Sequence, residues 1–195
     1  MTSRPIPELA TAASAVLSAL DAAGVRACVI GALAVHRWGQ PRATSDADFS
    51  ALASYGDERP VIDALLARFE ARRPDAVAFA YANRVLLLKT HDGVELDVAL
   101  AAFPFELEAI ALASSWEIVP GLALRTCPAE HLIVYKLVAA RTHDLGDMES
   151  IVRRQVGRLD IECIRRWGQE FAELKEDPDL LRPFEQALRH VSGGR

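Results

Sequence analysis

The sequence predicts a mixed α/β fold, with a small sheet domain over residues 1–127 and a helical annex over residues 128–195. Three observations predict it. Val25 to Ile30 is a short β-branched run closed by Gly31, as a buried strand running into a turn would be. Asp92-Gly93 sits between two stretches of apolar alternation, which is the strongest short-range hairpin signal. After Pro128 the apolar residues recur at helical spacing to the end of the chain.

Taken in order, Leu9, Ala13, Val16, Leu17 and Leu20 fit one face of a helix that ends at Gly24. The strand from Val25 to Ile30 follows, then a short helix to Trp38 and a loop at Gly39-Gln40-Pro41. Ser45 to Leu52 reads as a second strand. Asp57 to Arg72 reads as an amphipathic helix, with Pro60 in its first turn, Val61, Ile62, Leu65, Leu66 and Phe69 on one face, and Pro74 as its stop. The hairpin pairs Arg84–Thr90 with Val94–Leu100. Glu106 to Ser114 reads as a helix, and Trp116 to Cys127 as one or two short strands around Pro120-Gly121. The annex helices run over Pro128–Arg141, Asp144–Gln155, Asp160–Lys175 and Pro183–Val191, with Asp144 and Asp160 placed as caps. No long disordered join separates annex from sheet domain, so the two are expected to pack together.

A chain of 195 residues, 51% hydrophobic and 25% charged, buries about 70% of its extended surface on folding and needs no staple. The 22 Lys+Arg against 27 Asp+Glu leave a net charge of −5, which argues against coating long nucleic acid but leaves a local basic face open. Lys89, Lys136 and Lys175 are the only lysines. Cys28, Cys127 and Cys163 form neither a Cys-x-x-Cys pair nor an even set, so reduced, buried thiols in a cytoplasmic protein are expected. Pro5, Pro7 and Glu8, then Thr11, Ser14 and Ser18, break up the N-terminal apolar stretch and argue against a signal peptide. No apolar run approaches the roughly 18 residues of a membrane span, so no membrane partner is expected. The five histidines share no metal-ligand spacing, and no Gly-x-Ser-x-Gly elbow is present.

Chemistry concentrates between Gly31 and Asp97. On a strand, Asp46 and Asp48 point to one face with their carboxylates about 6–7 Å apart. Such like charges repel, so the pair fits either a solvent-washed edge or a divalent cation, and hard oxygen ligands suit Mg²⁺. Gly31 lets the backbone approach a ligand, and with Ala32 it opens a helix whose amides can hold phosphate oxygens. On the second hairpin strand Glu95 and Asp97 alternate to one side, and Asp97, deeper in the strand, is the better candidate to complete a metal triad.

Gly31-Ala32, Asp46-Ala47-Asp48 and Asp97, in this order and on these element types, resemble the signature of the polymerase-β type nucleotidyltransferase superfamily. The stretch from Gly31 to Gly39, with Arg42-x-Thr44 before the acidic strand, is similar to the branch that holds AbiEii-type toxins and uncharacterised bacterial nucleotidyltransferases, itself similar to the antibiotic nucleotidyltransferases of the lincosamide type. Pro128-Ala129-Glu130, Leu132, Lys136, Arg141, Asp144 and Asp147 resemble that branch's second block, and the likeness runs from about Val25 to Ile151. The resemblance implies a small mixed-sheet nucleotidyltransferase core. It also implies transfer of a nucleoside monophosphate from an NTP, ATP among the candidates, to a tRNA, protein or small-molecule acceptor, and a toxin–antitoxin setting with an antitoxin partner. Asp46, Asp48 and Asp97 would hold Mg²⁺ and serve catalysis, while Gly31, Ala32, Arg42, Thr44 and Lys136 would bind the nucleotide, Lys136 at its phosphates. Ala32 departs from the usual second Gly or Ser, removing a hydroxyl for which Thr44 is the candidate substitute. That departure keeps a second function open, a catalytically impaired nucleotide-binding or interaction protein.

Each residue also has a plainer reading. Asp46 and Asp48 would protect an edge strand, Lys136 would be a surface helix lysine, and Arg42 would pair with a carboxylate. Arg141, Asp144 and Asp147 read first as a helix break with cap and ion pairs. Arg153, Arg154, Arg158, Arg165 and Arg166 read as a solvated helix face, or as an RNA patch.

Overall fold

The sheet is held by its apolar face. In this computed structural model, which describes residues 4–192, the first of two compact units takes the residues up to Ala34 and Ala43–Cys127. Residues 1–3 and 193–195, assigned above to the sheet domain and the annex, lie outside the described residues. The elements in chain order are α1 (Ile6–Ala22), β1 (Ala27–Ile30), α2 (Gly31–Trp38, passing to the second unit at Val35), β2 (Asp46–Leu52), α3 (Arg59–Leu66) and β3 (Glu70–Ala71). They continue with α4 (Ala76–Asn83), β4 (Val85–Lys89), β5 (Glu95–Ala101), α5 (Pro104–Ala111), β6 (Ser114–Val119) and β7 (Leu122–Thr126). The strands form one mixed sheet in the order β3-β4-β5-β2-β1-β7-β6. The β2–β5 and β1–β7 pairs are parallel, and the other neighbours are antiparallel.

Alternation along β2 and β5 sorts the side chains. Ala47, Phe49, Leu96 and Val98 are fully buried in a core that also takes Leu86 and Leu88 of β4, Leu9, Ala13, Val16 and Leu20 of α1, and Val61, Ile62 and Leu65 of α3. On the opposite side of β2, Asp46 and Asp48 are half-buried, and the next residue of that face, Ser50, is fully buried. One side of β2, β4 and β5 is therefore covered, and the start of β2 is left open on the other. Cys28 is buried, and burial, set against the charge of Arg125, pushes its thiol up to about 12. Cys127 is buried as expected, whereas Cys163 is only partly so.

One stretch departs from the sequence reading. The helix expected over Asp57–Arg72 ends at Leu66, because Arg68 and Phe69 turn back to bond the Leu65 carbonyl. Glu70 and Ala71 then pair with Lys89 and Leu88, and the Arg72 amide bonds the Leu87 carbonyl at 3.0 Å. Strand pairing has overridden a helical pattern, which tertiary context commonly does. The Ala-rich α4, ended by Arg84 in the left-handed region (φ 57), was not anticipated.

The second unit takes Val35–Arg42 and the residues from Pro128 onward, so residues 35–42, kept with the sheet domain above, group with the helices. It contains α6 (Ala129–Ala139), α7 (Thr142–Gln155), α8 (Ile161–Leu174) and α9 (Arg182–Ser192). Arg154 donates to the Gly39 carbonyl (2.6 Å), Gln155 to the Trp38 carbonyl (2.9 Å), and the Gln40 amide to Ser150 Oγ (3.1 Å), which pins the 38–40 turn to α7. Arg165 on α8 grips both carboxylate oxygens of Glu185 on α9, at 2.8 and 3.2 Å.

Asp160 caps α8 by accepting the Cys163 amide at 3.0 Å. Asp160→Ala is expected to lower stability by about 1 kcal/mol and Asp160→Gly by only a few tenths, read by thermal unfolding.

Candidate active site

The parallel register of β2 and β5 places Asp46 opposite Glu95 and Asp48 opposite Asp97. Residues directly opposite share a face, so four carboxylates stand two by two on the open side of the sheet. On the other flank Ile30, the last residue of β1, pairs with Asp48, and the next residue is Gly31, with φ +63. A Cβ at Gly31 would stand 2.6 Å from Asp48 Cγ and 2.8 Å from its Cβ, so the aspartate fills the space where any other side chain would begin. Positive φ and the missing Cβ are both required here. Gly31 thus brings the first turn of α2 against the carboxylate of Asp48, while the side chain of Ala32 is buried at 3% exposure. Position 32 offers a ligand only its backbone.

Thr44, itself buried, donates its hydroxyl to Asp46 Oδ1 at 2.6 Å. The hydroxyl suggested above as a phosphate ligand orients the Asp46 carboxylate here. Arg72, which the sequence reading left at a helix end, brings a cation to the group. Its Nη1 donates to Glu95 Oε2 at 2.6 Å, and its Nη2 bonds Asp97 Oδ1. Burial raises the proton affinity of Asp97; the Arg72 charge opposes this, but Asp46 and Glu95 add to it, and the carboxyl ends above the usual range. Glu95 and Asp97, of which Asp97 is the candidate preferred above, stand on the same face and are both bound by Arg72. Arg72 is the residue that sequence reasoning missed, because its contacts depend on β3 pairing with β4.

Arg42 and Lys136 belong to the second unit. Lys136 is buried at 5% exposure, and its Nζ lies 2.8 Å from Asp144 Oδ1 and 2.9 Å from Asp147 Oδ2. Arg42 binds Asp147 through Nε (2.8 Å) and Nη2 (2.9 Å), and Arg141 Nε binds Asp144 at 2.7 Å. Burial alone would raise both carboxyls. Hydrogen bonds from Lys136 and Arg141 to Asp144, and from Arg42 and Lys136 to Asp147, outweigh it and hold both below the usual range. The His36 ring donates through Nε2 to the Arg42 carbonyl at 2.9 Å. Lys136 is therefore neither a surface lysine nor one presented to solvent, and Asp144 answers it from within α7 rather than acting as a cap.

Solved structures share this architecture. An antigenic nucleotidyltransferase-like protein from Paracoccidioides brasiliensis aligns with TM-score 0.54 and 17% identity over 96% of this chain and 95% of its own. The antibiotic-resistance factor ANT(2'')-Ia aligns with TM-score 0.57 and 16% identity over 87% of this chain and 96% of its own. The lincosamide antibiotic adenylyltransferase LnuA, solved with lincomycin bound, aligns with TM-score 0.50 and 14% identity over 77% of this chain and 98% of its own. No family model matches the sequence, and no curated protein matches it. At these identities the likeness is one of fold, and the fold is that of nucleotidyltransferase-like proteins.

Gly31→Ala is expected to cost more than about 2 kcal/mol in urea unfolding, from positive φ and the collision with Asp48 together. An Asp48→Gly background, which removes the Cβ as well as the carboxylate, should recover the collision part and leave the backbone part, read as a coupling energy in the double-mutant cycle. In the second unit the depressed carboxyls stabilise above their ordinary range near pH 4, and that stability is lost as pH falls through their folded values. Asp147→Asn should therefore lose about 2–3 kcal/mol at pH 7, with the gap from the parent chain closing below about pH 4.

Proposed function

We propose that this protein is a nucleotidyltransferase that moves a nucleoside monophosphate from an NTP to a hydroxyl-bearing acceptor. The observation that carries the reading is the placement of Asp46, Asp48 and Asp97 on one half-exposed face, in register and against the glycine that opens α2. The donor set is all oxygen, and its members repel one another, Asp46 and Glu95 both raising the proton affinity of Asp97. A hard divalent cation fits such a set, Mg²⁺ by preference, held by Asp46, Asp48 and Asp97. When bound it would neutralise triphosphate charge and polarise the α-phosphorus.

The chain's own residues supply the rest. The amides of Gly31 and Ala32, at the positive end of α2, hold phosphate oxygens. Thr44 positions Asp46. Asp97, whose proton affinity is raised, takes the proton of the acceptor hydroxyl as its oxygen bonds the α-phosphorus and pyrophosphate leaves with the electrons of the broken phosphoanhydride bond. Lys136 and Arg42 enter as positioning residues that fix residues 35–42 through Asp144 and Asp147. The candidate acceptors are a tRNA end, a protein hydroxyl and a small antibiotic. The likeness of the Lys136–Asp147 block to AbiEii-type proteins supports a toxin role with an antitoxin partner. The buried methyl of Ala32, in place of a hydroxyl, supports the second reading, a nucleotide-binding relative with impaired turnover.

Incubating the protein with each α-labelled NTP, Mg²⁺ and a cell lysate should move label into one class of acceptor. Asp48→Asn should reduce transfer a hundredfold or more, with a melting temperature equal to or above that of the parent, since a repulsive neighbour is removed. Mg²⁺-dependent NTP binding without transfer would favour the impaired relative, and no such binding at millimolar concentration would overturn both.

A further inference from the structure

We propose that Arg72 is the resident counter-ion of the acidic face and sets its affinity for the divalent cation, an inference that rests on the reading of that face as a cation site. Its placement is built into the sheet: the Arg72 amide bonds the carbonyl of Leu87, and Leu87 is the register partner of Asp97. From that anchor the guanidinium serves two different carboxylates, Glu95 through Nη1 and Asp97 through Nη2, with a side chain only 22% exposed. Among the described residues no other Lys or Arg pairs with Asp97 or Glu95.

Two consequences follow from charge. Glu95 and Asp97 share one guanidinium while Asp46 stands on the same face and adds its charge to theirs, so these three keep an excess of negative charge and an appetite for a further cation. A cation that takes Asp97 as a ligand also competes with Nη2 for that carboxylate, and the arginine is left holding Glu95. The cation must displace a charge-assisted bond and then sit near a positive group, which lowers its affinity when it binds alone. An anionic triphosphate arriving with the cation offers the displaced Nη2 a new acceptor, so cation and nucleotide should bind cooperatively.

The test uses Mn²⁺ as the probe and free Mn²⁺ in EPR titration as the readout, on the full chain, Arg72→Gln and Asp48→Asn. Arg72→Gln should bind Mn²⁺ about threefold to tenfold more tightly than the parent. It should also melt lower than the parent in EDTA and gain more in melting temperature on adding Mn²⁺. Parent binding that is lost in Asp48→Asn but equal or weaker in Arg72→Gln would overturn the counter-ion role and leave the cation site standing. No Mn²⁺ binding by the parent, or undiminished binding by Asp48→Asn, would overturn the site and the inference with it. If Arg72→Gln fails to fold, Arg72→Lys, which keeps the charge but reaches one carboxylate, decides on the same criterion with a smaller gain.

Discussion

The parallel pairing of β2 with β5 is the constraint from which the candidate site follows. Its register is fixed by what the other face buries: Ala47 and Phe49 from one strand, Leu96 and Val98 from the other, all without solvent exposure. A slip of one residue would turn a strand over and carry its carboxylates into that core, where an unpaired charge is far more costly than any gain in pairing. The apolar side thus dictates that Asp48 meets Asp97 and Asp46 meets Glu95. Folding tolerates their mutual repulsion because the alternative is worse, and a concentrated negative charge remains where solvent and ligands can reach it.

The two units treat charge in opposite ways. On the sheet, Glu95 and Asp97 share one arginine beside the charge of Asp46, and the proton affinity of Asp97 rises. In the helical unit, two buried carboxylates are shared by Lys136, Arg42 and Arg141, and their proton affinities fall. An under-compensated group on an open face is suited to recruiting a cation. A satisfied group in the interior is suited to holding backbone segments in place, since removing one partner would strand a buried charge. That contrast is why the same residue types read as chemistry in one unit and as architecture in the other.

What the sequence reveals follows the range of the interactions involved. The strand before Gly31, the Asp-x-Asp strand and the Asp-Gly hairpin all announce themselves over a few residues, through alternation and turn chemistry. Arg72 does not. Its partners lie 23 and 25 residues away, and it reaches them only because residues 70–72 leave the expected helix to pair with β4. The Lys136–Asp144 pair spans a corner at Ala140, whose left-handed conformation (φ 53) ends α6 before α7 begins. Composition marks Lys136 only as one of three lysines, and it cannot tell a lysine kept for a ligand from one kept for an internal pair.

The turn that opens α2 shows which departures from a motif matter. Its first position has no freedom: the space beyond Gly31 is filled by Asp48, and the backbone is in the left-handed region, so only glycine satisfies both conditions. The second position faces a different demand. Its side chain points into packed interior and is 3% exposed, so it must be small, and alanine meets that requirement. Exchanging a serine for Ala32 removes a hydroxyl without moving the backbone that carries the amides. The backbone that opens α2 therefore survives the departure, and any loss falls on a single hydrogen bond rather than on the arrangement of the carboxylates.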